Sequence, residues 1–135
     1  MNEWSFFCTP YNREHVELFT PKGPGVYLIW ILTGMGRWEC FYIGKADNLN
    51  SKLLSHLSSS EPNACLQELR KYICGFQWMK IFSGTYRDGA ENYLYDALNP
   101  ICNIRDSGGA ALWIPLPPPP AEYGDFASPI SPPEE

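Results

Sequence analysis

A chain of 135 residues, 44% hydrophobic and 15% aromatic, is long enough to bury its own core, and this composition excludes disorder throughout. Its longest apolar stretch, Val26 to Leu32, is far too short to span a bilayer. The amino terminus lacks the basic-then-apolar pattern of a secretion signal, so we expect a cytoplasmic protein with no membrane partner.

The net charge of −5 is unevenly distributed along the chain. All ten Lys and Arg residues precede Ser107, and four of the fifteen acidic residues follow it, which leaves eleven acids and ten bases in the body. Because cationic side chains supply most non-specific affinity for nucleic acid, this balance argues against a strongly basic surface. A local basic cleft remains compatible with it.

The cysteines are odd in number and scattered, with no Cys-x-x-Cys pair and no histidine at ligand spacing. They are Cys8, Cys40, Cys65, Cys74 and Cys102. This pattern predicts no zinc site. We expect free thiols that pack as small hydrophobic side chains in a reducing intracellular compartment.

Composition divides the chain into three parts. Residues 1–22 form an N-terminal extension without a recognisable signal, and residues 23–112 have the mixed, periodic composition of a folded domain. Residues 113–135 form a proline-rich acidic tail that is expected to be flexible, with a polyproline II segment at Pro117 to Pro120. A spacer is the favoured interpretation of the tail, and a ligand for a protein partner is the alternative.

The run Gly25–Leu32 is apolar at both parities, which predicts a strand buried on both faces. A glycine-containing loop leads to a second run, Glu39–Ile43, and the economical connection is an antiparallel hairpin. In such a hairpin Tyr27 and Tyr42 can face the same cleft.

Asp47 or Asn48 is a good N-cap for a helix whose leucines recur every four residues. Lys52 and His56 are four residues apart in this helix, so they share one face of it.

A second helix is predicted after Asn63 and ends at Gly75, and Phe76–Phe82 is a third strand. Asp88 can cap a last helix that Pro100 terminates. The order β-β-α-α-β-α predicts an α/β fold of the α+β type, in which helices pack on a small three-stranded antiparallel sheet.

Two tripeptides of the hairpin, Gly25-Val26-Tyr27 and Tyr42-Ile43-Gly44, begin an ordered set of polar residues. The set continues with Lys45, Lys52, His56, Glu91 and Asn103. In this order and element context the chain resembles the GIY-YIG nucleases from about Gly23 to Asn103. The resemblance implies an endonuclease that hydrolyses DNA with Mg²⁺ or Mn²⁺, and it gives Gly25, Gly44 and Asn103 supporting roles.

By this resemblance Tyr42 is the general base that takes a proton from the attacking water. A phenol with a pKa of about 10 needs a nearby cation to ionise at neutral pH, and Lys45 is the candidate. Tyr27 helps to place the water or the metal-bound ligands, and His56 hydrogen-bonds the phosphate or relays a proton. Without the resemblance, Tyr42 is interpreted as a half-buried aromatic residue of a strand.

Lys52 occupies the position at which the family usually has an arginine. Lysine keeps the positive charge but loses the planar fork that binds phosphate through two hydrogen bonds. The substitution therefore predicts a slow or inactive enzyme. An ordinary solvated lysine of a helix is the alternative interpretation.

Glu91 is the candidate metal ligand, a single carboxylate for a Mg²⁺ that retains most of its water. The competing interpretation is a capping box from Asp88 to Glu91, in which Glu91 binds the amide at the helix start. Only the metal role requires Glu91 to face the tyrosines.

Two further functions remain open on the sequence. The domain can have lost hydrolysis and kept nucleic-acid binding, or it can be a protein-interaction module that reaches a partner through its tail. No phosphate loop, nucleophile elbow or dinucleotide fingerprint is present, so those enzyme classes are excluded.

Overall fold

The computed structural model describes residues 3–102, 111 and 113–117. Its elements in chain order are α1 (Arg13–Phe19), β1 (Gly25–Leu32), β2 (Trp38–Ala46), α2 (Leu49–His56), α3 (Ala64–Gln67), a 3₁₀ helix (Glu68–Lys71), β3 (Ile73–Lys80) and α4 (Gly84–Leu98). The predicted fold class is confirmed: one three-stranded antiparallel sheet, in the order β2-β1-β3, packs with helices. In this described part of the chain, no helix is long and apolar enough to cross a membrane.

β1 is the central strand and explains why its sequence is apolar at both parities. The odd-numbered residues from Tyr27 to Ile31 pack with the leucines of α2 in one hydrophobic cluster. Even-numbered residues from Val26 to Trp30 pack with Ala90 and Leu94 of α4 in a second cluster. The sheet therefore has a helix-covered core on each face, and the predicted β1–β2 hairpin is confirmed.

The N-terminal residues pack along β3. Isolated bridges join Trp4 to Met79 and Cys8 to Phe76. The buried ring of Phe7 lies over Gly75, where an added Cβ would be 2.2 Å from the ring. Gly75 is thus a strand glycine paired with Trp30, and its predicted role as a helix cap is wrong.

Three other predicted boundaries differ in the structure. The helix before β3 is only one α-helical turn and a 3₁₀ turn that ends at Lys71, and β3 ends at Lys80, before the exposed Phe82. The last helix begins at Gly84 and not near Asp88, because the side chain of Ser83 accepts a hydrogen bond from the Tyr86 amide and caps it.

Residues 113–117 lie against the body of the domain. Ile114 is fully buried, and the indole N–H of Trp4 donates to the Pro115 carbonyl at 2.6 Å. The ring of Trp113 contacts Tyr93 edge-on. The rest of the predicted tail, residues 118–135, lies outside the described residues.

The cysteines are only partly as expected. Cys65 of α3 and Cys102 after α4 form a disulfide, so the expectation of five free thiols is wrong for this pair. The two residues are 37 positions apart and meet only in the folded chain. Cys8, Cys40 and Cys74 are buried free thiols, and burial raises the pKa of each to about 12.

Gly25 of β1 lies in close contact with β3 and α2. An added Cβ would be 2.2 Å from the Met79 carbonyl oxygen and 2.8 Å from a methyl group of Leu49. We expect Gly25→Ala to lower the free energy of unfolding by about 1–3 kcal/mol, as overpacking of a core does. Chemical denaturation measures this change. Gly23→Ala is the control, because nothing lies within 4 Å of its added Cβ, and equal losses in both variants would contradict the prediction.

Candidate active site

Three aromatic side chains meet on the face of the sheet that α2 covers. The ring centroids of Tyr27 and Tyr42 are 6.2 Å apart, and that of His56 is 5.7 Å from Tyr27 and 5.2 Å from Tyr42. The register explains the cluster, since Tyr27 pairs with Gly44 and Tyr42 with Ile29, which makes the two tyrosines diagonal neighbours on one face. The structure thus brings together three of the residues named from the sequence.

Gly44 makes room for the phenol of Tyr27. A Cβ at position 44 would lie 2.2 Å from both Cζ and the hydroxyl oxygen of that side chain. The ring of Tyr27 therefore lies across β2, and it is completely buried. Tyr42 is only half-buried, so the two tyrosines differ in their access to solvent.

Both ring nitrogens of His56 have hydrogen-bond partners. Nε2 is 2.5 Å from the hydroxyl of Tyr27, and Nδ1 contacts a carboxylate oxygen of Glu61. The other carboxylate oxygen of Glu61 accepts the backbone N–H of Asn63 at 2.7 Å. Tyr27, His56 and Glu61 are all buried, and they form one hydrogen-bonded chain.

The sequence analysis missed Glu61. It follows His56 by five residues across a serine-rich loop, and no helical or strand period connects such a pair. A local indication of its role is its position two residues before Asn63, the residue whose side chain caps α3. A carboxylate held at a helix start near the candidate histidine is a reason to test for contact, although it does not predict one.

Burial and neighbouring charges determine the protonation states of the three hydrogen-bonded residues. Burial lowers the pKa of His56, the Glu61 carboxylate opposes this, and Lys52 adds to it. Burial by itself raises the pKa of Glu61, but hydrogen bonds from His56 and a backbone N–H, with the charge of Lys52, hold it below its usual range. Burial and the neighbouring Tyr42 raise the pKa of Tyr27 well above 10. At neutral pH Glu61 is therefore ionised, His56 is neutral and Tyr27 is protonated.

The second half of the site lies between β2 and α4. The Nζ of Lys45 is 2.6 Å from the carboxylate of Asp88 and 3.9 Å from that of Glu91. Lys45 directly follows Gly44, the residue against which the Tyr27 hydroxyl lies. The predicted action of Lys45 on Tyr42 stays a prediction.

Glu91 lies in the middle of α4 and is almost completely buried. Because Ser83 caps this helix and Asp88 is inside it, the capping-box interpretation is wrong. The negative charge of Glu91 contributes to the raised pKa of Tyr27, so the two side chains interact electrostatically.

The carboxylates of α4 fit a hard divalent cation. Asp88 and Glu91 are three residues apart and share a helix face, and carboxylate oxygens are the ligands that Mg²⁺ prefers. No group of three or more His, Cys, Asp or Glu residues that could hold a metal occurs among the described residues. A cation here would thus use one or two carboxylates and complete its shell with water or phosphate. Asn103, the remaining predicted residue, lies outside the described residues.

Lys52 is exposed on α2 and lines two adjoining hollows. One, of about 370 Å³, also contains Tyr42, His56 and Glu61, and the other, of about 430 Å³, contains Lys45. A third hollow of about 370 Å³ contains Lys45, Asp47, Arg87 and Asp88. Because neighbouring hollows share lining residues, we call the three together the α2–α4 groove.

Arg87 is a second residue that the sequence analysis missed. Its guanidinium pairs with Asp47 at 2.7 Å and donates to the carbonyls of Ile81 and Phe82 at 3.2 and 3.0 Å. It thus places a third cation, after Lys45 and Lys52, in the α2–α4 groove. Arg87 is far from the two tripeptides in sequence, and the sequence did not indicate that it would lie in the groove.

Comparisons with known proteins agree with this fold. No protein-family model matches the sequence, and no curated protein is a detectable relative. Solved structures do match: three crystal structures of point mutants of the GIY-YIG N-terminal endonuclease domain of UvrC from Thermotoga maritima, bound to its catalytic divalent cation. They are 24–25% identical to this chain with a TM-score of 0.53, and each match covers 69% of this chain and 94% of the UvrC domain.

The fold and the order of its elements thus define a nuclease-like α+β domain. The chain is a domain of the GIY-YIG superfamily, as the resemblance in its sequence predicted.

The buried histidine predicts how stability depends on pH. The pKa of His56 is lower in the folded protein than its unfolded value of about 6.5, so the unfolded chain binds this proton first as pH falls. The free energy of unfolding should be at its full value above about pH 7 and decrease as pH drops through 6.5. Denaturation between pH 8 and pH 5 measures it, and His56→Gln should flatten the dependence. A parent protein with constant stability over this range would contradict the lowered pKa.

Proposed function

We propose that this protein is a divalent-metal-dependent endonuclease that hydrolyses phosphodiester bonds of DNA. The observation that carries the proposal is the α2–α4 groove, into which Tyr42, Lys52 and Lys45 open on a GIY-YIG fold. The similar UvrC domain, described as an endonuclease bound to its catalytic divalent cation, supports it.

Tyr42 is the residue that takes the proton from the attacking water. It is half-buried and lines the groove, whereas Tyr27 is completely buried and hydrogen-bonded to His56. Lys52 lies in the same hollow and contacts the scissile phosphate as a point charge. Lys45 favours the anion of Tyr42 from the adjoining hollow.

Glu91, with Asp88 one turn away, would hold the cation, Mg²⁺ or Mn²⁺. When bound there, such an ion would act as a Lewis acid for the charge on the phosphate oxygens. Lys45 bridges these carboxylates to the groove through its ion pair with Asp88. It therefore keeps the two acidic side chains oriented when they would otherwise repel each other.

His56 has a positioning role in this scheme. Both of its nitrogens are hydrogen-bonded, so a direct bond to phosphate would cost the bond to Tyr27 or the bond to Glu61. We therefore assign it to holding the buried Tyr27 in place and not to transferring a proton.

Cleavage assays on plasmid, branched and single-stranded DNA test the proposal. With Mg²⁺ or Mn²⁺ we expect the parent to cut DNA, and Glu91→Gln and Tyr42→Phe each to lose about a hundredfold or more in rate, because each removes a group on which the chemistry depends. Glu68→Gln and Tyr72→Phe are matched controls, since Glu68 is paired with Lys71 on the surface and Tyr72 is exposed. Equal cutting by Glu91→Gln and the parent would refute the assigned site.

Lys52→Arg tests the departure from the family pattern. A guanidinium can bind the phosphate through two hydrogen bonds, so we expect this variant to cut DNA about tenfold or more faster than the parent and Lys52→Ala to cut more slowly. Lys71→Arg is the control, because Lys71 is exposed and paired with Glu68 outside the groove. A slower Lys52→Arg variant would show that the site is built for lysine.

The same assay separates the other functions that the sequence left open. If the parent and Lys52→Arg are both inactive but bind DNA with strong dependence on salt, the domain is a nucleic-acid-binding module. If neither cuts nor binds DNA, a protein-interaction role is favoured, and residues 118–135 are then the segment to delete. Deleting from residue 113 would also remove the buried Ile114 and disturb the fold.

A further inference from the structure

The proposed mechanism leaves the buried Glu61 unexplained. Its carboxylate is 6% exposed, although it is ionised, and ionised groups are rarely buried unless they are paired. It is held from several sides. One carboxylate oxygen contacts His56, and the other accepts the backbone N–H of Asn63. The backbone carbonyl of Glu61 accepts a hydrogen bond from Gln67 Nε2 at 2.7 Å. The α2–α3 loop thus presents this carboxylate to the histidine in one orientation.

Hydrogen-bond chemistry then fixes the tautomer of the histidine. An ionised carboxylate can only accept, so Nδ1 of His56 must carry the proton that bonds to Glu61. In the neutral ring Nε2 is consequently an acceptor. The hydroxyl of Tyr27 must therefore donate to Nε2, because that nitrogen has no proton to give.

We propose that Glu61 is a positioning residue of the nuclease site, which sets the tautomer of His56 and through it orients the hydroxyl of Tyr27. Its effect on catalysis rests on the proposed function. The tautomer itself does not, and it can be measured in the absence of DNA.

The orientation matters because of where Tyr27 lies. Its hydroxyl occupies the space above Gly44, and its ring is in contact with that of Tyr42. With its proton committed to His56, the Tyr27 oxygen can still accept a hydrogen bond but cannot donate one. If Nε2 carried the proton instead, the Tyr27 hydroxyl would be free to donate toward its neighbours, and the polarity at the centre of the site would be reversed.

NMR of the side-chain nitrogens tests the assignment on protein with ¹⁵N-labelled histidine. The chain has two histidines. His15, which is hydrogen-bonded to Asn12, provides the internal reference for the ¹⁵N signals of His56. We expect His56 to carry its proton on Nδ1 at neutral pH in the parent, and Glu61→Gln to convert a measurable share, about a tenth or more, to the Nε2–H form, because an amide can also donate to Nδ1. Glu68→Gln is the matched control and should leave the tautomer unchanged.

Tyr27→Phe is the second variant and keeps the test decisive if Glu61→Gln fails to fold. It removes the hydroxyl and leaves Glu61 in place, so His56 should keep its proton on Nδ1. An Nε2–H form in the parent, or a switch of tautomer in Tyr27→Phe, would overturn the assignment. The charged groups that face His56 are Glu61 and Lys52, so the parent and both variants are compared at one pH and one salt concentration.

Cleavage kinetics test the catalytic part. We expect Glu61→Gln to lower kcat about ten- to a hundredfold with little change in KM, as removal of an outer hydrogen-bond partner of a functional histidine does. A variant with altered tautomer and unchanged kcat would overturn the positioning role. A parent that carries the Nδ1–H tautomer and cuts no DNA would refute the proposed function and still support the assignment of the tautomer to Glu61.

Discussion

The pairing of β1 with both of its neighbours is the constraint on which the rest of the structure depends. It places Tyr27 opposite Gly44 of β2, and only a residue without a Cβ leaves space there for the phenol. That position brings the Tyr27 hydroxyl to His56 at the end of α2, and the histidine in turn reaches Glu61 in the loop. A shift of register by one residue would move Tyr27 to the other face of the sheet and separate all of these groups.

The site combines groups from both faces of the sheet. Tyr42 and His56 lie on the α2 side, while Asp88 and Glu91 belong to α4 on the opposite side. Between them lies the end of β2, where Gly44 leaves space for the phenol of Tyr27 and the next residue, Lys45, pairs with Asp88 of α4. Under the proposed function, the base Tyr42 is half-buried on the α2 side, and the metal-binding Glu91 is almost completely buried on the α4 side.

The sequence predicted the parts of the site that follow a period. Alternation in the strands gave the hairpin with Tyr27 and Tyr42, and four-residue spacing in α2 gave His56. It failed where contacts cross a loop or join distant segments, as for Glu61 and the Cys65–Cys102 disulfide. Gly75 was assigned to a helix end because the ring that requires a glycine there belongs to Phe7, almost seventy positions earlier, and local sequence does not report such packing.

The charges along the α2–α4 groove connect the acidic composition to the proposed chemistry. The described side chains that line it supply three cations, from Lys45, Lys52 and Arg87, and three carboxylates, from Asp47, Asp88 and Glu61. Several are paired with one another, so the groove offers little net attraction to phosphate. A divalent cation at the α4 carboxylates would supply the missing positive charge. Under the proposed function, the metal would contribute to holding the DNA as well as to cutting it, which would allow an acidic chain to act on an anionic substrate.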